Sequence, residues 1–356
     1  MKALIIGQNT KIANVFSYFC EEVAMAVDKK IDTYRSYSEN SRFRQLETVV
    51  DIRSAKSILP RCLEIRRWVK ETGANVVFTN DKYSMIAAKL AQMTMRRKFK
   101  HLSTSHNSYA WLNEGNVRKF ARLIALTCNG YVSMATFAYE GLLKAGINKR
   151  ELILLPNALE TGLFKPKQSY EMPAGECRLV YAAAVYPGKC QDVAIKVVAE
   201  LRRRGIKATL DLFGDVCDED YFNSLKKQVA DSGLEDAVTF HGRVANELLR
   251  EELHKYDIYI CPTKMEMSPF NILEAQQAGV PIVASRVGGI PNLIENRRNG
   301  MLCEWGNVKE FCDTIMALIV DRGLREALGA GELRWVNEEN TPQHAAEKLN
   351  RFIASL

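Results

Sequence analysis

An alternation constrains this chain more than any other feature: short β-type runs separated by helix-length stretches, met once in the first half and again in the second. In the first half the strands fall at Lys2–Ile6, Val76–Thr79, Leu102–Ser105, Gly130–Ser133 and Leu152–Leu155, with helices at Ile58–Thr72 and Ser84–Met93 among the stretches between them. The second half offers strands at 178–183, 209–213, 237–241, 258–261 and 282–285, with helices near 192–204, 221–231, 245–255, 272–278 and 308–320 between them. Strands that alternate with helices form parallel sheets covered by helices. Two consecutive doubly wound α/β units follow. The stretch 158–175 carries Gly162, Pro166, Pro173 and Gly175 without helix or strand periodicity, so the join belongs there. We divide the chain into residues 1–165 and 166–341. The tail 342–356, with Ala345, Leu349, Ile353 and Leu356 on one stripe, is a helix expected to pack back on the first domain.

A length of 356 residues suits two cores. MKALIIG is too short an apolar run for a signal peptide, and no apolar stretch reaches the roughly 18 residues that span a bilayer. We therefore expect a cytoplasmic protein. The nine cysteines are odd in number and widely spaced, which argues for reduced thiols, and neither Cys nor His spacing suggests a structural metal. Net charge is +7 but uneven: residues 1–165 hold 26 Lys+Arg against 14 Asp+Glu, residues 166–356 hold 23 against 28. The basic residues gather at Arg42–Arg44, Arg61–Lys70 and Met95–Lys100. Such clusters are either a solvated surface or a face for anionic lipid or a phosphorylated acceptor, reached through Arg42, Arg44, Arg66, Arg67, Arg96, Arg97 and Lys98 without a hydrophobic anchor. No nucleic-acid recognition motif accompanies the charge, so nucleic acid is not expected as a partner.

The segment Pro262–Cys303 carries the most chemistry. After a buried strand it enters a loop, and a helix starts near Pro269 or Asn271 and stops before Gly279 and Pro281. A helix start gathers N–H groups suited to an anion. Glu266 precedes this start and Glu274 lies about one turn inside it, leaning back toward the N-terminus. Their spacing alone proves little. Both can nevertheless approach one ligand held there, and a carboxylate accepts two hydrogen bonds from a vicinal diol such as a ribose. A Glu beside a helix start for dipole reasons is the competing reading.

The segment resembles the E-x7-E region of the GT4 family of retaining glycosyltransferases, whose fold is GT-B. The resemblance rests on Glu266, Pro269, Leu273–Glu274–Ala275, Gly279–Ala284, Gly288–Gly289 and Asn299–Leu302. It extends to Leu212–Asp215, Val238–Val244, Leu155–Ala158 and Phe164, but over residues 1–150 only Ser105–Asn107 shares it. The resemblance implies two Rossmann-like domains facing a central cleft. By the same token Glu274 would bind ribose and Glu266 would sit by the transferred sugar. The Ser268, Pro269, Phe270 and Asn271 backbone would cradle the diphosphate or sugar. Lys189 would meet the diphosphate, and Gly214, Arg243 and Val244 would join the donor site, the last two at the base. His106 would face the donor sugar from the first domain, with a satisfied strand-end histidine as its alternative. Gly7 and Asn9 would lie on the acceptor side. Three positions depart from the family pattern: Ala184 stands where an arginine is usual, Asn292 where Glu is frequent, and Gly7-Gln8-Asn9 lacks a Gly-Gly pair.

The implied function is transfer of a hexose-type sugar, with retention, from a UDP- or GDP-sugar to a glycan or polyprenyl-phosphate-linked acceptor. Bacterial surface polysaccharide synthesis is the setting, with the enzyme peripheral on the inner face of the membrane. Fixed electrostatics at Lys189 and the helix start can take the leaving charge, so no metal or other cofactor is expected. Asp218-Glu219-Asp220 is the nearest approach to a metal-type acidic pair. An epimerase of the same fold and a non-catalytic nucleotide-sugar-binding protein are the alternatives.

Overall fold

The computed structural model describes residues 1–6, 15–28, 43–48, 57–96, 98–104 and 114–356. Its contacts divide it into two units, Met1–Asn157 with Pro342–Leu356, and Ala158–Thr341. The division falls at Asn157/Ala158 rather than 165/166, because Leu159 and Phe164 are already buried in the second core.

The first unit is built on β1 (Lys2–Ile6), β2 (Glu22–Asp28), β3 (Phe43–Thr48), α1 (Ile58–Thr72), β4 (Val76–Thr79), α2 (Lys82–Thr94), β5 (Lys100–Thr104), α3 (Glu114–Thr127), β6 (Gly130–Ser133), α4 (Thr136–Lys144) and β7 (Leu152–Leu154). The strands form one parallel sheet in the order β3-β2-β1-β4-β5-β6-β7. From β3 onward every crossover advances in one direction. Right-handed connections therefore put α1, α2, α3 and α4 side by side on one face, and each packs against the next. Ile65, Trp68 and Val69 of α1 and Ala87, Ala88 and Ala91 of α2 close over Leu4, Ile6 and Val77 of the sheet. Asp81 caps α2 by accepting the N–H groups of Tyr83 and Ser84, each at 2.9 Å.

A fully buried histidine stitches the centre of this sheet. His101 Nδ1 lies 2.8 Å from the Thr127 carbonyl, which can only accept, so Nδ1 carries the proton. Nε2 then accepts the Thr79 hydroxyl at 3.0 Å. Burial holds the pKa of His101 down at about 4.

The second unit runs β8 (Glu176–Ala182), α5 (Gln191–Arg203), β9 (Lys207–Phe213), α6 (Glu219–Asp231), β10 (Val238–Gly242), α7 (Asn246–Glu252), β11 (Ile258–Cys261), α8 (Phe270–Gln277), β12 (Ile282–Ser285), β13 (Met301–Cys303), α9 (Val308–Val320) and α10 (Arg322–Arg334). Its sheet is parallel in the order β10-β9-β8-β11-β12-β13. The chain closes with α11 (Pro342–Ser355), which belongs to the first unit. Ala345, Leu349 and Ile353 of α11 are buried, and a Cβ on Gly130 would lie 2.7 Å from Leu356.

Two parallel α/β sheets are what the alternation implies, but four elements escape it: β2, β3, β13 and α10. Arg61 also departs from expectation. It is buried, 3.5 Å from Glu64, and is no part of a basic surface. All nine cysteines are free thiols, and no helix among the described residues is long and apolar enough to cross a membrane.

Candidate donor site at the switch point of the second sheet

In an open parallel sheet, ligands bind beyond the carboxyl ends of the strands where the strand order reverses. In the second sheet this point lies between β8 and β11, the neighbours from which the chain departs in opposite directions. The residues singled out in the sequence follow those two strands: Lys189 in the turn after β8, Glu266 in the loop after β11.

The two side chains meet. Lys189 Nζ donates to Glu266 Oε1 in a close ion pair, both groups being largely withdrawn from solvent. Desolvation works to lower the Lys189 pKa, but the adjoining Glu266 carboxylate outweighs it and holds the ammonium above its ordinary value. The backbone beneath is tied across the switch point: the Gly188 carbonyl accepts the Thr263 hydroxyl at 2.9 Å and the Lys264 N–H at 3.1 Å. These bonds fix the Lys189 turn to the Glu266 loop independently of the ion pair.

Gly288 and Gly289 form the shelf under Glu266. Gly289 N–H donates to the Glu266 carbonyl at 2.8 Å. A Cβ on Gly288, whose φ is +53°, would lie 2.1 Å from that oxygen. Only glycine fits there. The Gly-Gly pair therefore places Glu266 by packing.

Helix α8 begins at Phe270 after Pro269, an N-cap residue whose side chain makes no capping hydrogen bond. Ser268 and Pro269 are buried, Phe270 and Asn271 half-buried. Asn271 donates its Nδ2 to the Ala182 carbonyl at 3.0 Å, which joins the helix start to the end of β8. Its Oδ1 is buried with no hydrogen-bond partner among the described residues. Glu274 is half-buried one turn along and acts on the Tyr259 hydroxyl, whose pKa burial pushes far up, with Cys261 and Glu274 adding to the rise. At its far end α8 is anchored by Gln277, whose Oε1 accepts the N–H groups of Leu163 at 2.7 Å and Phe164 at 2.9 Å.

The remaining residues spread along the same sheet edge. Gly214 follows β9 with φ +144°, and a Cβ there would lie 2.0 Å from the Ala183 carbonyl, so it lets the β8 turn approach. Ala184 accepts Gln191 Nε2 at 2.9 Å through its carbonyl. Arg243 is exposed and 3.4 Å from Asp215, while Val244 packs at the core's rim. Asp218 caps α6 through the Tyr221 N–H at 2.9 Å, so the acidic triplet is a helix start. Asn299 is internal too: Oδ1 takes the Glu295 N–H at 2.7 Å and Nδ2 donates to the Leu293 carbonyl at 3.0 Å. His106, Gly7 and Asn9 lie outside the described residues. Sequence reasoning missed the Gly188 carbonyl, Thr263, Gln191 and Tyr259. They act through backbone contacts between distant strands, which leave no local pattern.

The model of the family glycosyl transferases group 1 matches residues 165–335. The chain carries a glycosyl transferases group 1 domain. A GDP-mannose-dependent alpha-(1-6)-phosphatidylinositol monomannoside mannosyltransferase of Mycobacterium tuberculosis is 28% identical over 218 residues, 56% of this chain and 54% of that protein. The chain thus spans about half the length of that relative. An uncharacterized glycosyltransferase of Haemophilus influenzae is 24% identical over 81% of both chains. The crystal structure of Anabaena Alr3699/HepE in complex with UDP and glucose superposes over 100% of both chains with TM-score 0.82 at 18% identity. The fold of the whole chain is therefore GT-B, and the candidate site lies within the group 1 glycosyltransferase domain.

Proposed function

We propose that the protein is a retaining glycosyltransferase that moves a hexose-type sugar from a nucleoside-diphosphate sugar to a hydroxyl of a glycan or polyprenyl-phosphate-linked acceptor. The observation that carries this reading is the Lys189–Glu266 pair at the switch point, on a glycine shelf beside the start of α8, with Glu274 one turn along. The relative from Mycobacterium tuberculosis is named for GDP-mannose, and the structural neighbour holds UDP and glucose. Both support a nucleotide-sugar donor, and both bases enter the test.

Chemistry follows from charge. The bond between the anomeric carbon and the β-phosphate oxygen breaks, leaving negative charge on the diphosphate. Lys189 and the first N–H groups of α8 take up that charge as fixed dipoles and need no metal or other cofactor for it. The acceptor oxygen attacks from the departing face, and its proton passes to the leaving diphosphate. Glu266 would face the positive character that develops on the sugar, and Glu274 the ribose. The setting we propose is surface polysaccharide synthesis at the inner face of a bacterial membrane.

A thermal-shift screen against UDP-, GDP- and ADP-sugars tests the donor site, since a specific ligand stabilises by mass action. One class should raise the melting temperature, and the same sugar should release its diphosphate only with acceptor present. Release of a free sugar or an epimer without acceptor favours the epimerase. Binding without release favours a non-catalytic protein.

A further inference from the structure

We propose that the outward face of α1, α2 and α3 is an insertion surface for an anionic membrane, in which exposed leucines and a methionine enter the lipid and the surrounding cations hold its headgroups. It rests on the lipid-linked acceptor proposed above. Eight large apolar side chains are exposed among the described residues, and five of them sit on these three adjacent helices. Leu59 and Leu63 lie on α1 at 66% and 57% exposure, Leu90 and Met93 on α2 at 36% and 67%, and Leu126 on α3 at 71%. Scattered exposed apolar residues need no explanation, but a group on one face does. The other three are dispersed over the second unit, on α7, after β13 and at the end of α9.

Helix direction brings most of the group together. The crossover helices run against their strands, so α1, α2 and α3 all end where β4, β5 and β6 begin. The late residues Leu90, Met93 and Leu126 gather at that edge. Arg67, Lys70, Arg96, Lys98 and Arg122 gather there too, and none of them forms an ion pair among the described residues. A basic residue in the last turn can serve the helix dipole, yet of the three helices only α1 has one there, Lys70. The other four cations need another reason.

Charge decides the occupant. The first unit holds 27 Lys+Arg against 14 Asp+Glu, while the second holds 22 against 28. An apolar face bordered on one edge by cations without ion pairs among the described residues, on a positively charged unit, complements anionic lipid. The apolar group also revises the expectation of charge alone. Binding held by cations vanishes in high salt, whereas inserted leucines keep part of it.

Co-sedimentation with phosphatidylcholine vesicles, with and without phosphatidylglycerol, tests this on the full chain. The parent should partition about tenfold more strongly onto the anionic vesicles and keep a measurable part of that binding in high salt. Leu63→Gln, Met93→Gln and Leu126→Gln together should lower partition about tenfold and leave a remainder that salt abolishes. Arg67→Ala, Arg96→Ala and Arg122→Ala together should erase the preference for phosphatidylglycerol. All six positions are exposed, and circular dichroism confirms folding. Failure of the parent to pellet, equal pelleting with both vesicles, or parent-like binding by the apolar variant overturns the proposal. So does a parent dimer that the apolar variant dissolves, which gives the face to a second copy. The donor-induced melting shift, measured on the same samples, is untouched by either triple substitution. Its absence in the parent strikes the proposed function and not the membrane face.

Discussion

The two units treat their charged surfaces in opposite ways. In the second, many cations are matched on the spot. Arg202 meets both oxygens of Asp236 at 2.7 Å, Arg204 bridges Glu200 and Asp313, and Arg298 bridges Glu295 and Glu339. The candidate site repeats this habit in a sheltered setting with Lys189 and Glu266. In the first unit the outward cations of α1–α3 stand without ion pairs among the described residues. Exposed pairs add little stability, so the difference is not one of robustness. Local pairing cancels the field a few ångströms out, and unpaired cations project it. The paired patches of the second unit are electrically closed, and the outward face of α1–α3 is open among the described residues.

Opening the sheltered pair gives the largest effect. Lys189→Met leaves Glu266 without its partner and removes the cation meant for the diphosphate. We expect kcat/KM to fall by about a thousandfold, roughly 4 kcal/mol of transition-state stabilisation. Steady-state kinetics near the parent's values would show the closed pair to be only structural. The two carboxylates should then separate. Glu266→Ala should lower kcat by about a hundredfold with KM little changed, whereas Glu274→Ala should raise the donor KM about tenfold at constant kcat. Parent-like turnover in both variants would remove the pair from the site.

The first unit has its own sheltered charge effect, and it runs with pH. His101 is neutral in the fold, with its pKa at about 4 against the usual 6.5. Above pH 6.5 it is neutral in both folded and unfolded chains and does not bias folding. As pH falls from 6.5 toward 4 the unfolded chain takes up a proton that the fold refuses, so stability is lost, by roughly 3 kcal/mol in all. Below about 4 both states are protonated and this loss stops. Urea unfolding between pH 7 and 4 measures it. His101→Gln should flatten that window, and an unchanged slope would rule out the buried neutral histidine as its cause. The smallest effect belongs to the exposed pairs. A double-mutant cycle on Arg202 and Asp236 should be nearly additive. Strong coupling there would show that local pairing does more than cancel the field.

Alternation made both sheets legible because their central strands are continuous apolar runs such as Leu4–Ile6 and Ile258–Cys261. The elements that escaped lack that signal for identifiable reasons. In Phe43–Thr48, Arg, Gln, Glu and Thr fill four of the six places of an edge strand. Met301–Cys303 is three residues long. Helix α10 buries Arg325, Leu328, Gly329, Gly331 and Glu332, so its inward stripe reads as solvent-facing. Three of those residues have partners that no window of sequence contains. Arg325 donates to the Tyr170 carbonyl, Glu332 accepts the Ile282 N–H, and Gly329 leaves room for the Tyr170 ring. At the site, side chains with charge were legible by type, while the carbonyls that hold them in place were not.

Gly288 has a consequence for how genetic data on this protein would read. It contributes no atom to any reaction, yet the carbonyl of Glu266 occupies the space its side chain would need. In a saturation library position 288 should be as intolerant as 266, and alanine there should be as damaging as a bulky residue. A map of lost function would mark Gly288 as though it belonged to the chemistry. Only the pattern of substitution tells them apart: position 266 discriminates among side chains by charge and length, whereas position 288 rejects every side chain alike.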